Sequence, residues 1–129
     1  MKTFLAGILI LSQSAFASFY EVECDYKKDQ LEVEVLIEDF PRGSYFKQAE
    51  FSIIKDGKEN VYRDSVNARA VRGFNEIVYS GSNMRLEINT WPDNTPRWGR
   101  SYRARFSSIK LENNRKTINL ECRFPNSRF

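Results

Sequence analysis

Regular alternation of apolar and polar side chains is the feature that most restricts how this chain can fold. In the stretches 20–26 and 31–37, apolar residues occupy every second position and acidic residues occupy most of the positions between them. Successive side chains of a β-strand point to opposite faces, so a period of two indicates a strand with one buried and one solvated face. The same period recurs in the stretches 84–89, 102–106 and 118–124, and no segment shows a helical period.

Turn sequences separate the alternating stretches. Asp56-Gly57 is typical of a tight hairpin, and Gly81-Ser82-Asn83 predicts a second hairpin further along the chain. Residues 112–115 form another turn sequence, and the least regular stretch, 66–74, predicts either an irregular edge strand or a mobile loop. We therefore predict an all-β fold: a single small antiparallel β-sandwich or closed β-barrel of about 7–9 short strands.

The two cysteines, Cys24 and Cys122, fall on the apolar faces of the first and last predicted strands. An oxidising compartment favours pairing of cysteines placed in this way. We predict one disulfide that joins the N- and C-terminal strands. Neighbouring terminal strands would close a barrel and remove its exposed edges, whereas facing strands would put the bridge between the two sheets of a sandwich. The sequence leaves both arrangements open.

The first 17 residues have the features of a secretory signal peptide. Met1-Lys2 gives a positive start, residues 3–11 are apolar, and Ala15-Phe16-Ala17 places small residues at the cleavage-recognition positions. We expect residues 1–17 to be removed and residues 18–129 to form a single β domain, exported to a periplasm or to the extracellular space. A spanning helix is not expected, because no later apolar run approaches the roughly 18 residues that it requires.

An outer-membrane barrel would use the same alternation with its apolar side chains turned outward. Most of the predicted strands are shorter than the roughly 9 to 11 residues that a tilted membrane strand needs, and Cys24 and Cys122 would face lipid. We therefore expect a protein that does not span a membrane.

Charge is nearly balanced in this chain but unevenly distributed. Residues 18–59 carry 6 basic and 11 acidic side chains, and residues 60–129 carry 13 basic and 6 acidic ones. A domain so close to neutral is not typical of nucleic-acid-binding proteins, which present a strongly basic surface. The simplest interpretation is that oppositely charged strand faces meet in the fold, where cross-strand pairs contribute a few tenths to about 1 kcal/mol each.

Residue types that perform catalysis are scarce. The chain has no histidine, and histidine is the commonest general base and the usual partner of a nucleophilic serine or cysteine. With two cysteines as the only thiols, neither a metal site nor a cofactor is expected. Glu21 with Glu23, and Glu32 with Glu34, are pairs about 7 Å apart along a strand, within the range of glycosidase carboxylates. We interpret them as a solvated outer face and do not expect an enzyme.

The strongest candidate binding residues lie between Thr90 and Phe106. Tryptophan, tyrosine and arginine carry much of the binding energy at protein interfaces, and this segment concentrates all three. The candidates are Trp91, Arg97, Trp98, Arg100, Tyr102, Arg103 and Arg105. Alternation places Arg103 and Arg105 on the strand face opposite Tyr102. The other role open to the two tryptophans is to close one end of the core, where each would bury on the order of 200 Å².

These observations predict a small exported binding domain whose partner is a protein or an anionic cell-envelope polymer. A barrel that carries a small molecule in an apolar cavity is an alternative. The cysteine near the first strand and the Leu31-x-Val33-x-Val35 pattern resemble small periplasmic β-barrel inhibitors of lysozyme, so inhibition of a periplasmic enzyme is a further alternative. The Ser-Gly-containing inhibitory signature of that family is not recognisable here, and no residue roles are carried over.

Overall fold

In the computed structural model, eight antiparallel strands form one closed barrel. The structure describes residues 20–38, 45–71, 75–97, 99–111 and 117–125. Each strand pairs with its neighbours in sequence, and the last strand pairs with the first. The strands are β1 (Tyr20–Lys28), β2 (Leu31–Glu38), β3 (Phe46–Lys55), β4 (Lys58–Val71), β5 (Glu76–Ser80), β6 (Met84–Asn89), β7 (Ser101–Ser108) and β8 (Thr117–Arg123). The predicted all-β fold is confirmed, and the closed barrel is the arrangement that forms.

Closure is made by pairing between β1 and β8, with Cys24 directly opposite Cys122 in the register. The two sulfurs form the predicted disulfide, and both residues are buried. The bond closes a segment with a sequence separation of 98. In the chain-entropy model, a loop of this size stabilises the folded state by about 4 to 5 kcal/mol. The described residues contain no helix long and apolar enough to cross a bilayer.

Apolar side chains fill the barrel from every strand. Phe51 and Phe106 are fully buried near its centre, with their ring centroids 5.4 Å apart in an edge-on arrangement, and Phe51 also stacks on Tyr62 at 5.3 Å. The interior of an eight-stranded barrel is either filled by side chains or holds one small ligand. Here aromatic side chains occupy part of that interior.

The turn predictions agree with the structure where it describes them. Asp56 and Gly57 both have positive φ angles, 53° and 81°, as the tightest hairpin turns require. Within the stretch 66–74, residues 66–71 are more regular than predicted: β4 continues to Val71 and pairs with β5 over its last five residues. Residues 72–74 lie outside the described residues. The predicted turn at 112–115 lies outside the described residues.

A bulge at the start of β1 changes the orientation that alternation predicts for Glu21. Tyr20 lies opposite Glu38 and Val22 lies opposite Ile37, so Glu21 is one extra residue in β1. Such an extra residue interrupts the alternation of side chains between the two faces of the strand, so a side chain can point to the face opposite to the one expected. Glu21 is therefore buried beside Val22 instead of sharing the outer face, and the prediction that it is solvated is wrong.

Burial of Glu21 is compensated by a cation and a hydroxyl inside the barrel. Lys47 Nζ lies 3.2 Å from Glu21 Oε1, and the side chains of both residues are less than a tenth exposed. Tyr79, which is fully buried, donates its hydroxyl hydrogen to Glu21 Oε2. Burial of a carboxylate removes its hydration, and this costs free energy unless a cation or hydrogen-bond donors replace the water.

A second buried carboxylate, that of Asp64, holds the turn between β5 and β6. Its Oδ2 accepts the backbone N–H of Asn83 at 2.8 Å, and its Oδ1 lies 3.3 Å from the Ser82 hydroxyl. A Cβ atom at Gly81 would lie 2.2 Å from Asp64 Oδ2 and 2.9 Å from the Ser65 carbonyl oxygen. Close approach of the turn to Asp64 therefore requires glycine at position 81.

Lys47→Met should destabilise the protein by about 3 to 5 kcal/mol, because it leaves the Glu21 carboxylate buried without its cation. The double variant Lys47→Met/Glu21→Leu should lose much less than the sum of the two single variants, since it removes both charges. Urea unfolding of all four proteins gives the coupling energy. Strictly additive losses would show that the two side chains do not act as a pair.

Gly81→Ala should lower the free energy of unfolding by roughly 1 to 3 kcal/mol, because the new methyl group displaces the Asp64 carboxylate from the turn. Ser82→Ala is the matched control, since Ser82 is exposed and its hydrogen bond to Asp64 Oδ1 is long, at 3.3 Å. Thermal and urea unfolding measure both. Equal stability of Gly81→Ala and the control would show that Gly81 does not pack closely on Asp64.

Candidate functional site

The connection between β6 and β7, residues 90–100 and here called the Trp91 loop, is organised around Asp93. The Tyr102 hydroxyl donates to Asp93 Oδ2 at 2.7 Å and accepts the backbone N–H of Arg97 at 2.8 Å. Tyr102 belongs to β7, and its ring lies inside the barrel 5.8 Å from the ring of Phe124. Tyr102, a residue of the barrel core, therefore holds the loop in place through its hydroxyl.

Two arginines of the loop complete the surroundings of Asp93. Arg100 lies 3.3 Å from Asp93 Oδ2 and Arg97 lies 3.7 Å from Oδ1, while the Asp93 side chain itself is only 9% exposed. Burial raises the pKa of the Tyr102 hydroxyl, and its hydrogen bond to Asp93 adds to this effect. Tyr102 therefore remains a neutral donor to the carboxylate throughout the physiological pH range.

Asn75, which precedes β5, ties the loop to the neighbouring connection. Its carbonyl oxygen accepts both the backbone N–H and the side-chain hydroxyl of Thr90, at 2.7 and 2.9 Å. Its side-chain amide donates to the Asp93 carbonyl oxygen at 3.1 Å and to Asn94 Oδ1 at 2.8 Å. The loop is thus held by hydrogen bonds at its beginning and at its centre.

Trp91 projects away from this framework into solvent. The residue is 71% exposed, while its backbone N–H donates to Asn89 Oδ1 at 2.9 Å. For Trp91, the interpretation that it closes the core is therefore wrong. Alternation could not predict the exposure of Trp91, because β6 ends at Asn89 and the period of two applies only within a strand. Trp98 lies outside the described residues.

Below the loop, a depression of about 550 Å³ runs over the outer face of the barrel; we call it the arginine groove. Its lining comes from β1, β5, β6, β7 and β8 and consists of Asp25, Glu76, Glu87, Asn89, Arg103, Ala104, Arg105, Asn119, Leu120 and Glu121. Asn89, the residue that accepts the Trp91 backbone N–H, is therefore also part of the groove.

Charges in the groove are mixed. The side chain of Arg105 lies 3.7 Å from Glu87, whose carboxylate also pairs with Arg85 at 2.6 Å. Arg103 lies opposite Glu121 in the register of β7 and β8. Four carboxylates and two guanidinium groups line the groove. Its two arginines therefore have acidic side chains as close neighbours.

The uneven charge along the chain is only partly explained by contacts between its two halves. Arg123 of β8 pairs with Asp25 of β1 at 3.0 Å, which joins a basic residue of the second half to an acidic residue of the first. The arginines of β7, however, have β6 and β8 as neighbours. The glutamates of β1 and β2 are therefore not the partners of Arg103 and Arg105.

Of the two carboxylate pairs considered from the sequence, Glu21 and Glu23 do not share a strand face, whereas Glu32 and Glu34 do. Glu21 is inside the barrel, whereas Glu23 lies among the outer residues beside Arg123. Partial burial raises the pKa of the Glu23 carboxyl, the neighbouring Glu34 and Asp25 raise it further, and Arg123 opposes them. Among the described residues, no three or more acidic, histidine or cysteine side chains are placed to hold a metal ion.

The structure thus assigns different surroundings to the predicted candidates. Arg103 and Arg105 meet in the groove, Arg97 and Arg100 flank Asp93, and Tyr102 supports the loop from inside.

Sequence reasoning missed the residues that organise them: Asn75, Glu87, Asn89 and Asp93. Asp93 carries a weak signal, since it follows Pro92 in the loop. Asn75 carries none, because its contacts span 15 to 19 residues.

Comparison with protein-family models, with curated proteins and with solved structures gave no match for this chain.

Tyr102→Phe should loosen the Trp91 loop without emptying the core, because it removes only the hydroxyl between Asp93 and Arg97. We expect a loss of about 1 to 2 kcal/mol in unfolding free energy and a clear loss of hydrogen-exchange protection at the Arg97 amide. Tyr62→Phe, which alters a tyrosine at the other end of the barrel, serves as the control. Unchanged exchange at Arg97 would show that the hydroxyl does not hold the loop.

Proposed function

We propose that this protein is an exported, non-enzymatic β-barrel that binds a partner protein through Trp91 and the arginine groove. The observation that carries the proposal is the exposure of Trp91, a residue that is 71% exposed although the loop around it is tied to buried groups. An exposed large aromatic ring on a rigid support is typical of a residue that becomes buried in a complex.

Pre-organisation of the loop supports this function energetically. Asp93 and Asn75 together anchor the residues on both sides of Trp91. A surface that is already ordered before binding loses less conformational entropy when its partner docks. Hydrogen bonds that stabilise the free protein therefore also favour the complex.

Mixed charge in the groove favours a protein over an anionic polymer as the partner. The groove presents the carboxylates of Asp25, Glu76, Glu87 and Glu121 beside its two arginines. A uniformly negative chain would meet these carboxylates as well as the guanidinium groups, whereas a protein surface can match both signs. An anionic cell-envelope polymer is the second candidate, supported by the exposed Arg97 and Arg100 beside the groove.

Export fits the chemistry of the fold. A disulfide between the terminal strands is consistent with an oxidising compartment, and residues 1–17 have the pattern of a cleavable signal. We propose that the domain acts in a periplasm or outside the cell. If its partner is an enzyme, the protein would be an inhibitor or a regulator of that enzyme.

The proposal is tested with the variant Trp91→Ala/Arg103→Ala. Immobilised protein is used to capture partners from the envelope fraction of the source cell at low and at physiological salt. Purified candidates are then titrated to obtain dissociation constants. We expect at least one protein to bind the wild type and to lose tenfold or more in affinity for the variant.

Val61→Ala/Arg63→Ala is the matched control, since it removes one exposed apolar residue and one exposed arginine from the outer face of β4. This control should bind the partner as the wild type does. Equal capture of every partner by the Trp91→Ala/Arg103→Ala variant would refute the assigned surface. Tight binding of immobilised polyphosphate, with no protein captured, would place the polymer ahead of a protein.

A further inference from the structure

The end of the barrel away from the Trp91 loop carries a second depression, of about 420 Å³. In this barrel, successive connections lie at alternate ends, so the β1–β2 and β3–β4 turns lie opposite the β6–β7 connection. We call the depression the lysine pocket. Its lining is Lys28, Asp29, Gln30, Leu31, Ile53, Lys55, Asp56, Asn60, Tyr62, Lys110 and Leu111.

The base of the lysine pocket is apolar. Ile53 and Leu111 are buried, and Leu31 and Tyr62 are partly buried against the same core. A hydrogen bond of 3.0 Å from the Asp56 backbone N–H to the Gln30 carbonyl oxygen joins the two turns that border the pocket. The depression is therefore a formed feature of the barrel end, and its volume lies within the usual range of small-molecule sites.

Three lysines lie on its rim. Lys28, Lys55 and Lys110 make no ion pair within the part of the chain that the structure describes. Lys110 lies over the Tyr62 ring, with Nζ 5.1 Å from the ring centroid. Lys55 also lies directly opposite Lys58, and like charges in this position are destabilising.

The two aspartates of the lining, Asp29 and Asp56, occupy the turns, and both are exposed with positive φ angles. They reduce the formal charge of the lining to one excess positive charge. This balance suits a ligand with a single negative group better than a polyanion. Apolar side chains below a ring of lysines also require that the rest of the ligand be apolar.

We propose that the lysine pocket binds a small amphiphilic anion. The apolar part of the ligand packs on Ile53, Leu111 and the Tyr62 ring, and its anionic head group pairs with the ammonium groups of Lys55 and Lys110. Lysine is a point charge with rotatable donors, so the site accepts either a carboxylate or a phosphate monoester. This site is separate from the Trp91 surface and does not depend on the function proposed for it.

Calorimetric titration below the micelle concentration tests the proposal with four matched probes: decanoate, decyl phosphate, decanol and decyltrimethylammonium. At least one of the two anions should bind tenfold or more tightly than decanol, and the cation should bind more weakly than decanol. The anion that binds better identifies the head group. Equal affinity for the anions and decanol would overturn the proposal, as would no binding of either anion.

Lys55→Gln/Lys110→Gln should weaken binding of the anion at least tenfold. Lys27→Gln/Arg69→Gln, which removes the same charge from exposed positions outside the pocket, should bind as the wild type does. If both variants bound the anion equally weakly, the loss would follow from net charge alone, and this result would contradict a specific site.

Methyl NMR of the wild type locates the ligand even if the lysine variant fails to fold. Decanoate or decyl phosphate should shift the resonances of Ile53 and Leu111. Shifts confined to residues around Trp91 would overturn the assignment. Trp91→Ala/Arg103→Ala should retain anion binding, so failure of the protein-binding proposal and failure of this one give different results.

Discussion

Pairing of β1 with β8 is the interaction on which the rest of the structure depends. Without it, both strands would present rows of unpaired backbone N–H and C=O groups and the sheet would have two open edges. The bond between Cys24 and Cys122 lies in the middle of this pairing and fixes its register. Closure gives the chain one enclosed interior, and it places the strand connections at two separate ends that can take different roles.

Buried polar groups, more than apolar ones, distinguish this barrel from a generic one. Glu21 is satisfied by Lys47 and Tyr79, Asp64 holds a hairpin turn, and Asp93 is held by Tyr102 from inside. Each group costs free energy to bury unless its partners are in place. The same groups fix the position of a turn or loop, so the proposed contact surface depends on residues that do not face a partner themselves.

Much of the fold could be predicted because strand alternation is local information. Alternation correctly placed Cys24 and Cys122 inside, and it separated Tyr102 from Arg103. It failed at Glu21, because a one-residue bulge reverses the facing of a side chain without changing the local composition. The candidate site was predicted only in part: its arginines and tryptophan are visible as a cluster, but the hydrogen bonds that arrange them span distant parts of the chain.

The amino-acid sequence by itself determined that the protein is all-β, that its two cysteines face the core, and that arginines and aromatic residues concentrate near residues 90–106. These properties follow from the period of two and from composition. Only the tertiary structure decided that the sheet closes, that Trp91 faces solvent, and that lysines from three separate segments surround an apolar pocket. Closure depends on contacts between the first and last strands, and no local pattern of side chains encodes which distant strands become neighbours.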